Sequence, residues 1–524
     1  MSITRKKWII GILITVVLCV TGVFVINAVI KSKIETAINN LDRNVKLNYS
    51  DLEVNVLSRN IHFVNSELSI TGDTSQKLIF SLQLDNVALN GIDFLNYLID
   101  DNIHINELIL NNALIVYKHN PSDKTGSYYS KIKDKLKKRL TIDLIDLSES
   151  KLNIVRKKTD TTLLKAENVK FKIEGFDINP KQQEKSLNSV IQTQDYEFSL
   201  TDLMFNISPY ESLKSDSLYL SKNELKAINV DLMTNYEIPD YVNIIKKERD
   251  HFNIKIKEIG LFNLDLGYNT NDEFYLKADS TSILKPSAKI YRDKTLADDT
   301  SFKPLYSNLL RNLSFKLALK TVAVTDGDIQ YLEKLDLNMD PAELKFTDLN
   351  ASINQLGNIE SYTMTSAKVN SKFMKTTPIE ADWSFKVQDT TDSFVFKADI
   401  GDFNASQLNQ FTIPSEQLRL EGDVMQTYFT INGKASLSEI DLKIRYDDFK
   451  IKLLKDNGRE KKSILTGIVN LFVPADSKDD DSRFRYGYAN NVDRDTAKSI
   501  FNFLWKNIRS GLKSAIKGDG EKNN

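Results

Sequence analysis

From about residue 45 onward the apolar residues of this chain recur at every second position, and that period restricts the fold more than any other feature. Leu78, Phe80, Leu82 and Leu84 alternate with polar residues, as do Val169, Phe171 and Ile173, then Phe315, Leu317 and Leu319. The alternation returns at Ala381, Trp383, Phe385 and Val387, at Phe394, Phe396, Ala398 and Ile400, and at Leu442, Ile444 and Tyr446. Side chains of a strand point to opposite faces in turn, so each segment predicts a strand with one apolar and one wet face. A sheet of such strands must bury its apolar face against a second layer or curl around something apolar.

A coarser unit also recurs, in which a strand meets a short polar pair and resumes. It is seen in ELILNNALIVYK (107–118), VKFKIEGFDI (169–178), EFSLTDLMFNI (197–207), IKEIGLFNLDL (256–266) and VAVTDGDIQYL (322–332). Polar pairs of this kind predict tight turns or bulges in an antiparallel meander. The unit has no fixed period, which excludes a tandem array of the ankyrin or leucine-rich type. The expectation is one long antiparallel sheet built hairpin after hairpin.

Five segments interrupt the strands. Ile92 to Ile99 predicts a short apolar helix, and Ser127 to Leu140 spaces Tyr128, Ile132, Leu136 and Leu140 four apart among lysines. Lys181 to Gln194 is polar and predicts a solvated excursion, while Pro239 to Glu248 and Pro304 to Leu313 each predict a helix opened by proline. Near the end, Asp476 to Asp481 (DSKDDD) is a charged linker, and Asp495 is placed to cap a helix running to about Ile516. Phe501, Trp505, Ile508 and Leu512 lie along one side of that helix, with Lys506, Arg509 and Lys513 elsewhere. Such a basic amphipathic helix either caps a sheet edge or lies on a membrane surface, and both readings stand.

At the other end, Trp8 to Ile30 is a run of 23 residues without a charge, preceded by Arg5, Lys6 and Lys7 and followed by Lys31 and Lys33. A hydrocarbon core of about 30 Å needs about 20 helical residues, so the run is long enough to cross a bilayer. Val25-Ile26-Asn27-Ala28 is a poor signal-peptidase site, and Leu18 is bulky where a lipoprotein site before Cys19 needs a small residue. An uncleaved single-pass anchor is therefore expected. The few residues before Arg5 against the long chain after Lys33 place the bulk outside the cytoplasm. A short amphipathic helix with Ile34, Ala37, Ile38 and Leu41 follows the anchor.

Composition removes several classes. The chain has 70 basic and 71 acidic residues, so no global field draws it to nucleic acid. Cys19 is the only cysteine, which leaves the body without disulfides or thiolate ligands. His62, His104, His119 and His251 are not at metal-ligand spacing, and no nucleophile elbow, phosphate loop or dinucleotide fingerprint occurs. The acidic linker lacks the glycine and closing glutamate of a calcium loop. The reading is a non-enzyme with no cofactor and no metal.

The anchor and short helix, then VKLNYSDLEVNVLSRNIHFVNSELSI (45–70) and NGIDFLNYLIDDNIHINELILNNALIVYKHN (90–120), resemble the N-terminal pattern of AsmA-like proteins of the bacterial envelope. GDFNASQLNQFTIPSEQLRLEGDVMQTYFTINGKASLSEIDLKIRYDDFKIKLL (401–454) is similar to their C-terminal repeat region. The resemblance implies a membrane-anchored β-groove related to chorein-type bridge-like lipid transporters. The fold expected is mainly β: an elongated antiparallel β-groove, a taco-like curled sheet, with an N-terminal transmembrane helix, short inserted helices and a C-terminal amphipathic helix. Its divisions are a cytoplasmic N-terminus (1–7), the anchor (8–30), a juxtamembrane helix (31–44), the groove (45–474), a charged linker (475–494), the basic helix (495–517) and a disordered tail (518–524). The candidate lining is Leu78, Phe80, Leu82, Leu84, Val169, Phe171, Ile173, Phe315, Leu317, Leu319, Trp383, Phe385, Phe394, Phe396, Leu442 and Ile444. Expected partners are the membrane, phospholipid acyl chains and envelope proteins, at the inner membrane with the bulk of the chain in the periplasm. The competing function is an assembly factor for envelope or outer-membrane proteins that works through sheet edges.

Overall fold

The computed structural model describes residues 3–72, 77–94, 102–119, 138–179, 194–269, 271, 273–454 and 484–518. The chain is mainly β and divides into two units, Met1–Ile207 with Lys214–Lys222, and Ser208–Leu213 with Asn223–Asn524.

The first unit opens with α1 (Ile3–Asn39), which joins the predicted anchor and juxtamembrane helix without a break. Its part from Ile14 to Asn39 is long and apolar enough to span a membrane. The strands are β1 (Val45–Asn48), β2 (Asp51–Asn55), β3 (Asn60–Thr71), β4 (Leu78–Asn90), β5 (Asn102–Asn111), β6 (Leu114–His119), β7 (Arg139–Arg156), β8 (Thr162–Ile178) and β9 (Asp195–Asn206). β5 and β6 are two halves of one broken strand, both lying between β4 and β7.

β10 (Glu211–Ser221) is divided between the units, and β11 (Glu224–Thr234), α2 (Ile238–Ile244), β12 (His251–Tyr268) and β13 (Phe274–Asp293) follow. Next come α3 (Tyr306–Arg311), β14 (Lys316–Lys334), β15 (Ala342–Gly357), β16 (Thr365–Phe373), β17 (Thr377–Phe385), β18 (Phe394–Ile400) and β19 (Phe403–Asn404). The second unit ends with α4 (Asn409–Glu416), β20 (Leu418–Gly433), β21 (Leu437–Leu453), β22 (Arg485–Asp493) and α5 (Ile500–Lys517).

The polar pair of the recurring unit falls inside a strand in β8, β9, β12 and β14 and separates β5 from β6 at Asn112. In the first unit Asn65, Asn112, Glu149, Asn168 and Asp202 all have positive φ, and the strand register places them in one line across β3 to β9. Asparagine and aspartate reach the left-handed region more readily than other non-glycine residues, which accounts for the residue types. Each is exposed, and the residue after it is buried at Ser66, Ala113, Ser150 and Val169. Ser150 is satisfied inside the bend, accepting from Ala113 N–H at 3.1 Å and donating to Ser148 O at 2.8 Å. A bulge bends its strand and increases its local twist. The second unit repeats the device at Asn229, Lys285, Asp326 and Asp348, which share a line across β11 to β15.

Several expectations require correction. The sheet is not wholly antiparallel: β7 runs parallel to β5 and β6, and β14 runs parallel to β13. Parallel neighbours need a long crossover, and the segment between β13 and β14, which carries α3, supplies one. Leu140, assigned to a helix, lies in β7. The charged linker placed over 475–494 gives way to β22 in its second half, paired with β21. Asp495 does not cap the last helix. It accepts from Ala497 N–H at 2.9 Å, and Ser499 is the N-cap, accepting from Asn502 N–H. The helices expected at Pro239 to Glu248 and Pro304 to Leu313 are present but shorter, as α2 and α3. Most of Ile92 to Ile99, Ser127 to Leu140 and Lys181 to Gln194, all of Asp476 to Asp481, and the tail after Gly518 lie outside the described residues.

Candidate functional site

The registers assemble the alternating residues into apolar rows that cross the strands. In the first unit one row runs Leu52, Phe63, Val87, Leu110, Leu147, Phe171, Phe198. Beside it runs Val54, Ile61, Leu89, Leu108, Ile145, Ile173, Tyr196. Beyond the line of bulges, Ile70, Phe80, Tyr117, Ile154, Leu164 and Phe205 form another. Directly opposite residues share a face. The bulge explains how both sets do so: β8 carries its apolar residues at 164 and 166, then at 169, 171 and 173, and left-handed Asn168, where the register with β7 shifts, reverses the odd-even phase and keeps the same side apolar.

The second unit carries two unbroken rows over eleven strands. One is Leu225, Leu261, Thr281, Val322, Ile353, Ala367, Trp383, Phe396, Ile431, Ile440, Ala489. The other is Ala227, Ile259, Ile283, Val324, Ala351, Val369, Ala381, Ala398, Phe429, Leu442, Gly487. Between them lies a mostly polar row on the opposite face, including Ser352, Lys368, Asp382, Lys397, Thr430 and Asp441. At about 4.8 Å per strand the apolar rows are roughly 50 Å long measured along the sheet.

Cover on these rows is uneven. α5 lies on β21 and β22 and buries Ile500, Phe503, Leu504, Asn507, Gly511 and Ala515 in a cluster with Phe394, Phe429, Ile431, Ile440, Leu442 and Ile444. Asn507, fully buried, accepts from Ser438 Oγ at 2.8 Å and donates to Phe503 O at 2.8 Å. Tyr306 and Leu305 reach the same cluster, with Tyr306 against Trp383 at a ring separation of 5.3 Å. Farther along the sheet, Ile254, Ile256, Ile283, Leu317, Leu319 and Val324 are half-buried and belong to none of the three buried clusters found among the described residues.

This divides the sixteen candidate lining residues. Leu84, Val169, Ile173, Phe394, Leu442 and Ile444 are buried, so protein already fills the space beside them. Trp383, Phe385 and Phe396 pack on the cluster beneath α5. Leu82 and Phe171 pack in the same way on the first-unit cluster of Leu84, Ala113, Leu147, Ala166, Val169 and Leu200, while Leu78 and Phe80, with Phe315, Leu317 and Leu319 in the second unit, are half-buried outside the three clusters. The sequence-based list omitted Ile254, Ile256, Ile283 and Val324, whose strands change phase twice and so break any long run of alternation. On α5 the packed face is turned away from the stripe read in the sequence. Phe501 is 62% exposed, Trp505 stacks edge-on against Phe411, and Ile508 and Leu512 are half-buried. Lys506 donates to Asp493 O at 2.6 Å, Arg509 pairs with Glu416 at 3.3 Å, and Lys513 is exposed.

Charged groups converge near α2. Arg249 makes a forked pair with buried Glu211, and Lys498 bridges Glu248 at 2.8 Å and Asp298 at 3.2 Å. These groups are matched cation to anion, an arrangement that ties segments together. Burial pushes the Tyr241 phenol up to about 12, and burial together with Asp293 does the same to Tyr291. A raised phenol stabilises the fold fully below its unfolded pKa of about 10, and the contribution is lost as pH rises through about 12. Alkaline titration followed by tyrosinate absorbance is therefore expected to show delayed, cooperative ionisation, with Tyr241→Phe removing part of the delay. Superimposable curves for folded and urea-unfolded protein would contradict the assignment.

The opposite face over β17 to β22 holds a shallow depression of about 740 Å³ lined by Asp382, Lys397, Tyr428, Thr430, Asp441 and Lys443 among others. Charged and polar side chains ring it, and Ala398, Phe429, Leu442 and Gly487 also contribute to its lining. Family models, the curated proteins and the solved structures give no match to this chain.

Proposed function

We propose that this chain is a membrane-anchored, non-catalytic lipid-handling protein of the cell envelope, holding or conducting phospholipid with its acyl chains on the apolar rows. The observation that carries the reading is the continuity of those rows across β11 to β22, with half-exposed aliphatic side chains where no buried cluster claims them. A soluble sheet with an unfilled apolar face is costly, since each fully buried Leu, Ile or Phe side chain is worth roughly 1.5–3 kcal/mol. Acyl chains remove that cost without any specific hydrogen bond, in keeping with rows that carry no polar group at fixed spacing. The bulge lines support a bent sheet, and a bend towards the apolar side is how a groove would form. On this reading α1 is the anchor at the inner membrane and the body lies in the periplasm.

The test is photocrosslinking in cells with the full chain. Benzoylphenylalanine in place of Leu319 or Phe80 is expected to capture phospholipid, while the same group at exposed Lys320 or Gln83 captures none. Equal yields from both faces, or no lipid adduct at either inner position, would defeat the proposal.

A further inference from the structure

The end of α1 and the first hairpin of the sheet are locked together at the level where the uncharged run stops. Asn27 lies within that run, and its Oδ1 accepts from Val56 N–H at 2.9 Å. Asn27 precedes Ile30, the last residue of the run, by three positions, or about 4.5 Å of helix. Ile30 is buried and Ile34 packs with it against Leu52, Ile61 and Val56, and Lys31 pairs with Asp51 at 3.7 Å. The β2–β3 turn is built stiffly. Asn55 Oδ1 accepts from Leu57 N–H and Ser58 N–H at 3.1 Å each, and the Arg59 guanidinium donates to Gly91 O and Ile92 O at 3.0 Å. Despite this rigidity the turn presents Leu57 at 75% exposure, beside a helix whose Phe24 is 70% exposed.

A helix apolar enough to span a bilayer fixes where the water ends, and the turn fastened to that helix through Asn27 and Lys31 holds its exposed leucine at the same level. We infer that the β2–β3 turn is seated in the surface of a phospholipid bilayer, with Leu57 inserted among the acyl chains beside α1. Arg59 and Lys31 then sit at headgroup level, as cations flanking a membrane segment do. This seat brings Leu52 and Val54, the first members of two apolar rows, to the membrane boundary. The inference rests on α1 being the anchor and names the place where the sheet meets lipid.

The test uses the full chain with Cys19→Ser, reconstituted in phosphatidylcholine vesicles and labelled with an environment-sensitive fluorophore at one introduced cysteine. Leu57→Cys is the test position. Val20→Cys, within α1, reports the anchor itself, and Lys158→Cys, exposed at the opposite strand end of the same unit, is the aqueous control. Doxyl-labelled phosphatidylcholine is expected to remove most of the emission at 20 and 57 and little at 158, with blue-shifted emission at 57. Quenching at 20 with position 57 resembling 158 would overturn the membrane seat while leaving the anchor intact. Absence of quenching at 20 and at 57 would overturn both.

Discussion

In the Gly487→Val variant the C-terminal half of α5 is expected to lift from the sheet while its N-terminal half stays seated. A Cβ at Gly487 would lie 2.0 Å from Gly511 O and 3.0 Å from Ala515 Cβ, so no rotamer relieves the contact and the helix backbone itself must move. Overpacking of a core usually costs about 1–3 kcal/mol. Complete release would instead forfeit Ile500, Phe503 and Leu504, at roughly 1.5–3 kcal/mol each. The smaller loss wins, so the helix tilts about its seated end. Hydrogen exchange should rise over residues 510–517 and stay slow over 500–506, with a stability loss of a few kcal/mol in denaturant titration. Unchanged exchange and stability would mean that the glycine contact does not set the seat of the helix.

Leu317→Asp combined with Leu319→Asp is expected to empty the protein of lipid while leaving it folded. Both side chains are half-exposed, so the new carboxylates keep contact with water and the fold loses roughly 0.5–3 kcal/mol for each. Two charges within one acyl-chain track are far more disruptive to hydrocarbon than to a hydrated sheet face. Val169→Asp and Ile173→Asp make the contrast: those positions are 2% and 1% exposed, and an unpaired carboxylate there is expected to prevent folding. Phospholipid per mole of purified full chain, measured by mass spectrometry, decides the matter. A folded double variant that retains the wild-type amount would exclude the apolar side of β14 at Leu317 and Leu319 as part of the lipid track.

The strands were legible from the sequence because most of them carry one apolar side, and the bulges were legible where Asn112, Asp202, Asn263 and Asp326 interrupt it. β22 was hidden because its inward positions, Gly487 and Ala489, are small where the helix rests on them, while Tyr486 and Tyr488 occupy the other face. The same close approach turned α5: the contact is centred on Gly511 and Ala515, so the largest apolar residues do not mark the packed side. The parallel pairings were hidden for a different reason. The direction in which a strand enters a sheet is set by the segment before it, and nothing in the pattern of β7 or β14 records that direction. In the second unit, which candidate lining residues are filled by protein and which stay open depends on where α5 and α3 rest, information carried by distant parts of the chain.

Where neighbouring strands carry a left-handed residue on a common line, as at Glu149 and Asn168 or at Lys285, Asp326 and Asp348, the apolar side is kept on both sides of that line. A hairpin inserted with the same internal offset would thus lengthen the apolar track by about 10 Å and leave the existing pairs in step. A single-residue deletion at Asn168 is expected to do the opposite, turning half of one strand inside out and placing a wet step in the middle of the track. A fold of this kind can grow by whole hairpins far more easily than it can tolerate the loss of one asparagine.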